Sequence, residues 1–336
     1  MAWSSCPALR LIVDYEAFMN TRALLSLLAA CALVTKASAQ LLPVGGTGIA
    51  SRYPNDVGIA SDPSVIFADD FESYSTASAL TNRWTRVFQT PNIRIATEPG
   101  NFYLGAKAVE FAVPQQATEA SGTVIKAISP GRETLFLRYY GKFDSGFDVL
   151  GSSHTGSTMS GNYCCAGVKA DGYNQFFVSY EAGREETSIA SPGKLRVYVY
   201  HPDQRDIWGD HFFPTGVVSP FTAVPGSFGS TFVARPDIVP QLGRWYAYEL
   251  MVKVNTPGQR DGRIAMWLDG QLVADFPNLR LRETTNLKID QISVDLYVKS
   301  NTRAAARRWI DNVVVATSYI GPVAGSLLPP TNLRAQ

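Results

Sequence analysis

Histidine is scarce in this chain, with three residues among 336, and cysteine nearly so, with four. That is too few for a zinc-rich module. A surplus of charge is also missing, since 30 Lys+Arg face 29 Asp+Glu for a formal net charge of +1. A nucleic-acid-binding surface needs a basic excess or stripe, so that partner is excluded. Charged residues make up 18% against 46% hydrophobic, which rules out a disordered chain. The apolar run at residues 23–34 is about a dozen long, too short to span a bilayer. Long amphipathic helical stretches are lacking as well. What is plentiful is aromatic side chains, at 11%, with 27 Gly and 20 Pro, a composition of strands and turns.

The apolar run has the flanks of a secretory signal. Arg22 precedes it and Ala37-Ser38-Ala39 follows, an A-x-A site with cleavage expected before Gln40. Residues 1–18 place Asp14 and Glu16 ahead of the charged region, so Met19 is the better start. A competing pattern is a lipobox at Leu28-Ala29-Ala30-Cys31, which would tether Cys31 to lipid. Loss of residues 1–39 removes three of the 30 basic and two of the 29 acidic residues, leaving 27 of each. A secreted or periplasmic location is therefore expected. Cys164 and Cys165 then remain as sequence neighbours, able to bridge only each other within one chain. Both a vicinal disulfide and a pair of small packed residues stay open.

Residues 40–64 are Gly/Pro/Ser-rich and aperiodic, a flexible leader, and residues 321–336 form a Pro/Gly linker tail. Between them lie strand-like runs at Ile93–Ala96, Lys107–Val113, Thr123–Ile128, Leu135–Phe143 and Gln175–Tyr180. More follow at Lys194–Tyr200, Trp245–Val254, Arg263–Leu268, Lys288–Val298 and Trp309–Ala316. Tyr246, Tyr248, Leu250, Val252 and Val254 alternate with Glu249 and Lys253 on the opposite face. Asp269-Gly270 between IAMWL and QLVADF predicts a two-residue hairpin turn. About ten strands without intervening helices predict an all-β, antiparallel two-sheet β-sandwich over residues 65–320.

Particular motifs carry a resemblance. Asp69-Asp70-Phe71-Glu72, Trp84, the WLDG hairpin and Trp309–Val315 resemble a concanavalin A-like jelly roll. YYGKFDSGFDVLGSSHTGSTMSG (139–161), KLRVYVYHPDQ (194–204) and the block at 244–273 are similar to the alginate and glucuronan lyase-like families. The resemblance spans residues 65–320 and implies a polysaccharide, specifically a polyuronate, as partner. It also implies a catalytic Lys in the loop after strand Leu135–Phe143, where this chain carries His154. Tyr198-x-Tyr200 matches a catalytic tyrosine pair of those families. The cleft arginine they carry one strand earlier has no counterpart in FFVSYEAG, and Arg184 comes only afterwards.

Read as chemistry, His154 is a competent proton acceptor near neutral pH, and Tyr198 and Tyr200 share one strand face. Lys142, Arg138 or Arg184 would neutralise a uronate carboxylate during β-elimination. Separately, Asp70 and Glu72 at the domain's start and Asp311 at its end suit Ca²⁺ if first and last strands pair. The resemblance adds loop carbonyls around residues 101–105 to that shell. The expectation is a secreted, monomeric polysaccharide lyase. A non-catalytic carbohydrate-binding module and a structural or adhesive surface domain remain alternatives, since aromatic faces stack on sugars in either case.

Overall fold

The computed structural model describes residues 41–219 and 228–323. The signal segment, with its expected start and cleavage point, lies outside the described residues, as does the tail from residue 324. Among the described residues seventeen strands form two antiparallel sheets, and no helix is long and apolar enough to cross a membrane. In chain order the first six are β1 (Val65–Asp69), β2 (Arg86–Phe88), β3 (Ile93–Ala96), β4 (Ala108–Val113), β5 (Ala120–Arg132) and β6 (Thr134–Phe143). Next come β7 (Ser153–His154), β8 (Ser157–Gly161), β9 (Phe176–Gly183), β10 (Lys194–Tyr200), β11 (Asp210–Phe212) and β12 (Val218–Ser219). The last are β13 (Tyr246–Lys253), β14 (Gly262–Leu268), β15 (Gln271–Leu279), β16 (Ile289–Val298) and β17 (Ala306–Ala316).

The first sheet runs β15-β14-β13-β6-β17-β4-β3, with β1 also on β17. The second runs β12-β11-β10-β9-β8-β16-β5-β2, with β7 also on β16. This is the expected all-β jelly-roll sandwich, and all ten expected strands are present. Two-residue periodicity explains why. Tyr248, Leu250 and Val252 of β13 face the core, as do Leu195, Val197 and Val199 of β10 and Val294, Leu296 and Val298 of β16. The β14–β15 hairpin pairs Leu268 with Gln271, and Asp269 and Gly270 both have positive φ, at 51° and 76°. Those values are what a type I′ turn demands.

The outer face of the first sheet is covered, contrary to the expected flexible leader. Residues 45–61 form a series of 3₁₀ turns that bury Ile49, Ala50 and Ile59. Ile49 and Ala50 N–H groups bond the carbonyls of Tyr319 and Ile320, at 3.1 and 2.9 Å. A Cβ at Gly48 would sit 2.2 Å from the Ile320 carbonyl oxygen, so only glycine permits this approach. Beneath the cover, Glu249 accepts the Ile320 and Gly321 N–H groups, each at 2.8 Å, and burial pushes its pKa up to about 7. Arg138 is wholly buried and donates to both oxygens of Asp56 at 2.7 Å. A buried pair of this kind replaces the water each charge gives up.

Candidate active site

The outward face of the second sheet gathers the chemistry. Strand alternation that buries Leu195, Val197 and Val199 turns Arg196, Tyr198 and Tyr200 of β10 the other way. On β9 the same logic presents Glu181 directly opposite Arg196. Strand β16 offers Asp295 and Tyr297, with Tyr297 paired to His154 of β7. His154 therefore stands between two aromatic rings, 5.1 Å from Tyr198 and 5.3 Å from Tyr297, both stacked. On the far side of Tyr198 lies His211 of β11, with ring centroids 4.8 Å apart.

Glu181 ties these groups together. Its Oε2 accepts from His154 Nδ1 at 2.7 Å, and its Oε1 accepts from Arg196 Nε at 3.0 Å. A carboxylate can only accept, so Nδ1 carries the proton and Nε2 is the free nitrogen of the neutral ring. The His154 side chain keeps 26% of its surface exposed. Burial opposes its positive charge, but the charge and hydrogen bond of Glu181 outweigh that, and its pKa is raised. Burial likewise opposes ionisation of Glu181, and His154 and Arg196 overcome it, holding the carboxyl down at about 2. His211 is pushed down to about 3 by burial and by Arg196, so it is neutral at physiological pH. Asp295, buried behind His154, is raised to about 6.

The tyrosine pair is differently engaged. Tyr198 donates to the Tyr200 hydroxyl at 3.3 Å and accepts the Gly209 N–H at 3.1 Å. Tyr200 accepts the Gly167 N–H at 3.2 Å and is only 1% exposed. Burial, then the bond to Tyr200, raises the Tyr198 pKa well above the ordinary phenol range.

No family model and no curated protein matches the chain. Solved structures do. An alginate lyase in complex with an alginate tetrasaccharide aligns at TM-score 0.53 and 15% identity, over 76% of this chain and 98% of that one. The endo-β-1,4-glucuronan lyase of the fungus Trichoderma reesei aligns at 0.50 and 16%, over 76% and 96%. An alginate lyase from a Chlorella virus aligns at 0.51 and 14%, over 75% and 99%. The fold is that of the jelly-roll alginate and glucuronan lyases.

Within this lyase fold the expected site residues divide. His154 and Tyr198 come together, and Tyr200 shares their face with its hydroxyl turned to a loop. Arg138 and Lys142 do not join them, because β6 belongs to the first sheet and directs both side chains to its covered outer face. Lys142 bonds the Gly100 carbonyl and Asn101 Oδ1 and lies 4.3 Å from the Trp309 ring. Arg184 leaves the end of β9 to pair with Asp148 and to bond the Ile189 carbonyl. None of the three is placed to meet a sugar held at His154. Glu181, Arg196, His211, Asp295 and Tyr297 join the His154 face without being expected from the sequence. Arg196 was within reach, two residues before Tyr198 on the same face. Glu181 required the β9–β10 register, and His211 sits on a strand of three residues without periodicity.

The first and last strands pair as expected, with Asp69 of β1 opposite Val313 of β17. Asp311 Oδ2 accepts the Tyr103 and Leu104 N–H groups at 2.8 and 3.1 Å, and its Oδ1 accepts the Asn312 N–H at 2.8 Å. Glu72 Oε1 accepts the Ala106 and Lys107 N–H groups, both at 2.8 Å, while exposed Asp70 accepts from Glu72 N–H at 3.2 Å. Carboxylates thus hold the amides of the loop at 100–107, and the Lys142 ammonium holds a carbonyl. Among the described residues no three His, Cys, Asp or Glu converge as metal donors. The Ca²⁺ expected on Asp70, Glu72 and Asp311 would need 6–8 oxygens turned to one point, so loop carbonyls would have to complete its shell. Cys164 and Cys165 form the vicinal disulfide.

Proposed function

We propose that this protein is a polysaccharide lyase that cleaves a uronate-containing polymer by β-elimination, with His154 as its acid–base group. The carrying observation is the His154–Glu181 pair on the outward sheet face, with Nδ1 fixed and the ring partly exposed. Neutral His154 takes the C5 proton at Nε2, and Glu181 stabilises the imidazolium that forms. The C5–H electron pair becomes the C4–C5 double bond as the C4–O bond breaks. The imidazolium then returns its proton to the leaving oxygen. His211, neutral and partly exposed, offers an N–H to the uronate carboxylate, and Tyr198 walls the space between the two histidines. Export fits this reading, since a disulfide such as Cys164–Cys165 persists in oxidising compartments.

A second reading, a non-catalytic carbohydrate-binding module, draws support from the placement of Arg138, Lys142 and Arg184 away from His154. Incubation with alginate and glucuronan separates the two. The lyase yields ultraviolet-absorbing unsaturated uronate ends, and His154→Ala lowers their rate about 10²–10⁴-fold while retaining polymer binding. Wild-type protein that binds but never forms such ends would refute the lyase.

A further inference from the structure

Beside the tyrosine pair two loops carry large apolar side chains into solvent: Val168 and Tyr173 on one, Ile207 and Trp208 on the other. Trp208 keeps 52% of its surface exposed although its ring is seated on backbone. A Cβ at Gly167 would lie a tight 3.3 Å from that ring, and the Gly167 φ of +73° itself favours glycine there. The support is stiff. Buried Gln175 accepts the N–H groups of Cys164 and Cys165 at 3.1 and 3.4 Å, and donates to the carbonyls of Cys165 and Val168 at 3.1 and 3.0 Å. The Cys164–Cys165 bridge closes the same loop.

Both loops are fastened to the site. Gly167 N–H bonds the Tyr200 hydroxyl, and Gly209 N–H, next to Trp208, bonds the Tyr198 hydroxyl. The loop that carries Trp208 is thus tied to the tyrosine pair on the His154 face of the sheet. An exposed, rigidly backed aromatic ring favours the apolar face of a pyranose, because stacking there needs little ordering of the protein. Lys169 and Arg205, one on each loop, are exposed. Asp206, by contrast, turns a carboxylate oxygen to its own loop, accepting the Ile207 N–H at 2.6 Å.

We propose that Trp208, backed by Gly167 and the Cys164–Cys165 loop, is a distal sugar subsite that stacks a uronate ring of a chain extending from His154. The subsite rests on the polysaccharide reading above, but its readout is binding rather than turnover. Electrophoresis through gels containing alginate or glucuronan measures it, with neutral laminarin as control. Trp208→Ala should raise the apparent Kd for the acidic polymers about tenfold, whereas Trp208→Phe should retain most of the affinity. Trp208→Leu keeps apolar bulk over Gly167 and should lose binding as Ala does, which separates stacking from loop support. Unchanged affinity in both Trp208→Ala and Trp208→Leu overturns the subsite, as does wild-type protein that neither acidic polymer retards. Trp208-dependent binding without unsaturated product would leave the subsite standing and remove the lyase. Product formation with Trp208-independent binding would do the reverse.

Discussion

Replacing Glu181 by Gln tests the centre of the site, because one carboxylate there holds both His154 and Arg196. The shape is kept and the charge removed. Glu181 titrates at about 2 in the folded protein against an ordinary 4.5. At about 1.4 kcal/mol per pKa unit, its ionisation stabilises the fold by about 3 kcal/mol. The group is fully buried, so solvent screening takes little from that figure. A depressed carboxyl pKa gives stability that is present above pH 4.5 and lost as pH falls through about 2. His154 acts in the opposite sense, since its raised pKa stabilises fully below 6.5 and less as pH rises through the folded value. The pair is therefore strongest between about pH 4.5 and 6.5.

Glu181→Gln should cost about 3–5 kcal/mol in denaturant unfolding at pH 5.5, since Arg196 keeps only the half-exposed Glu185 as partner. His154 itself gives the more specific readout. Without Glu181, burial dominates and its pKa should drop below 6.5, followed by proton NMR among only three histidines. The acid limb of the rate profile should move to lower pH with it, because the base is then neutral sooner. A His154 titration unmoved by Glu181→Gln would refute the coupling, whatever happened to stability.

Tyr200→Phe should lower unfolding free energy by about 1 kcal/mol through loss of the Gly167 bond and leave product formation near wild type, measured by denaturation and ultraviolet assay. Loss of turnover comparable to His154→Ala would restore a catalytic role to that hydroxyl. The melting temperature should be the same in Ca²⁺ and in chelator, given the N–H donors on Asp311 and Glu72. A rise with Ca²⁺ that Asp311→Ala abolishes would show those carboxylates holding an ion instead. The melting temperature should also be higher at pH 5.5 than at pH 8. Glu249 at about 7 and Asp269 and Asp295 at about 6 bind protons more tightly folded than unfolded, so stability falls as pH rises through that window.

The sandwich was legible because alternation is a property of each strand alone. The expected limits of Ile93–Ala96 and Lys194–Tyr200 match β3 and β10 residue for residue. Short strands such as β11 carry no period to read, and His211 was passed over with it. Covered faces were also invisible. Glu249 alternates like a solvent-facing residue, yet it is buried because residues 45–61 and 319–323 pack over it, and no local pattern announces a distant cover. The aperiodic leader read as flexible for the same reason.

His154 and Lys142 show where reading along a chain stops being reading of a site. They are twelve positions apart, and alternation puts Arg138, Tyr140 and Lys142 on one face of β6. Alternation fixes a face relative to the strand, whereas sheet membership is set by pairing with β13 and β17, far away in sequence. The chain changes sheets between β6 and β7, so the two groups end on opposite sides of the sandwich. The consequence is chemical. Arg138 and His154 each bond a buried carboxylate at 2.7 Å, that of Asp56 and that of Glu181. Every nitrogen of Arg138 is enclosed under the 3₁₀ turns, so its pair can only hold the fold together. His154 gives Nδ1 to the protein and keeps a partly exposed ring, which is what moving a proton to or from a ligand requires.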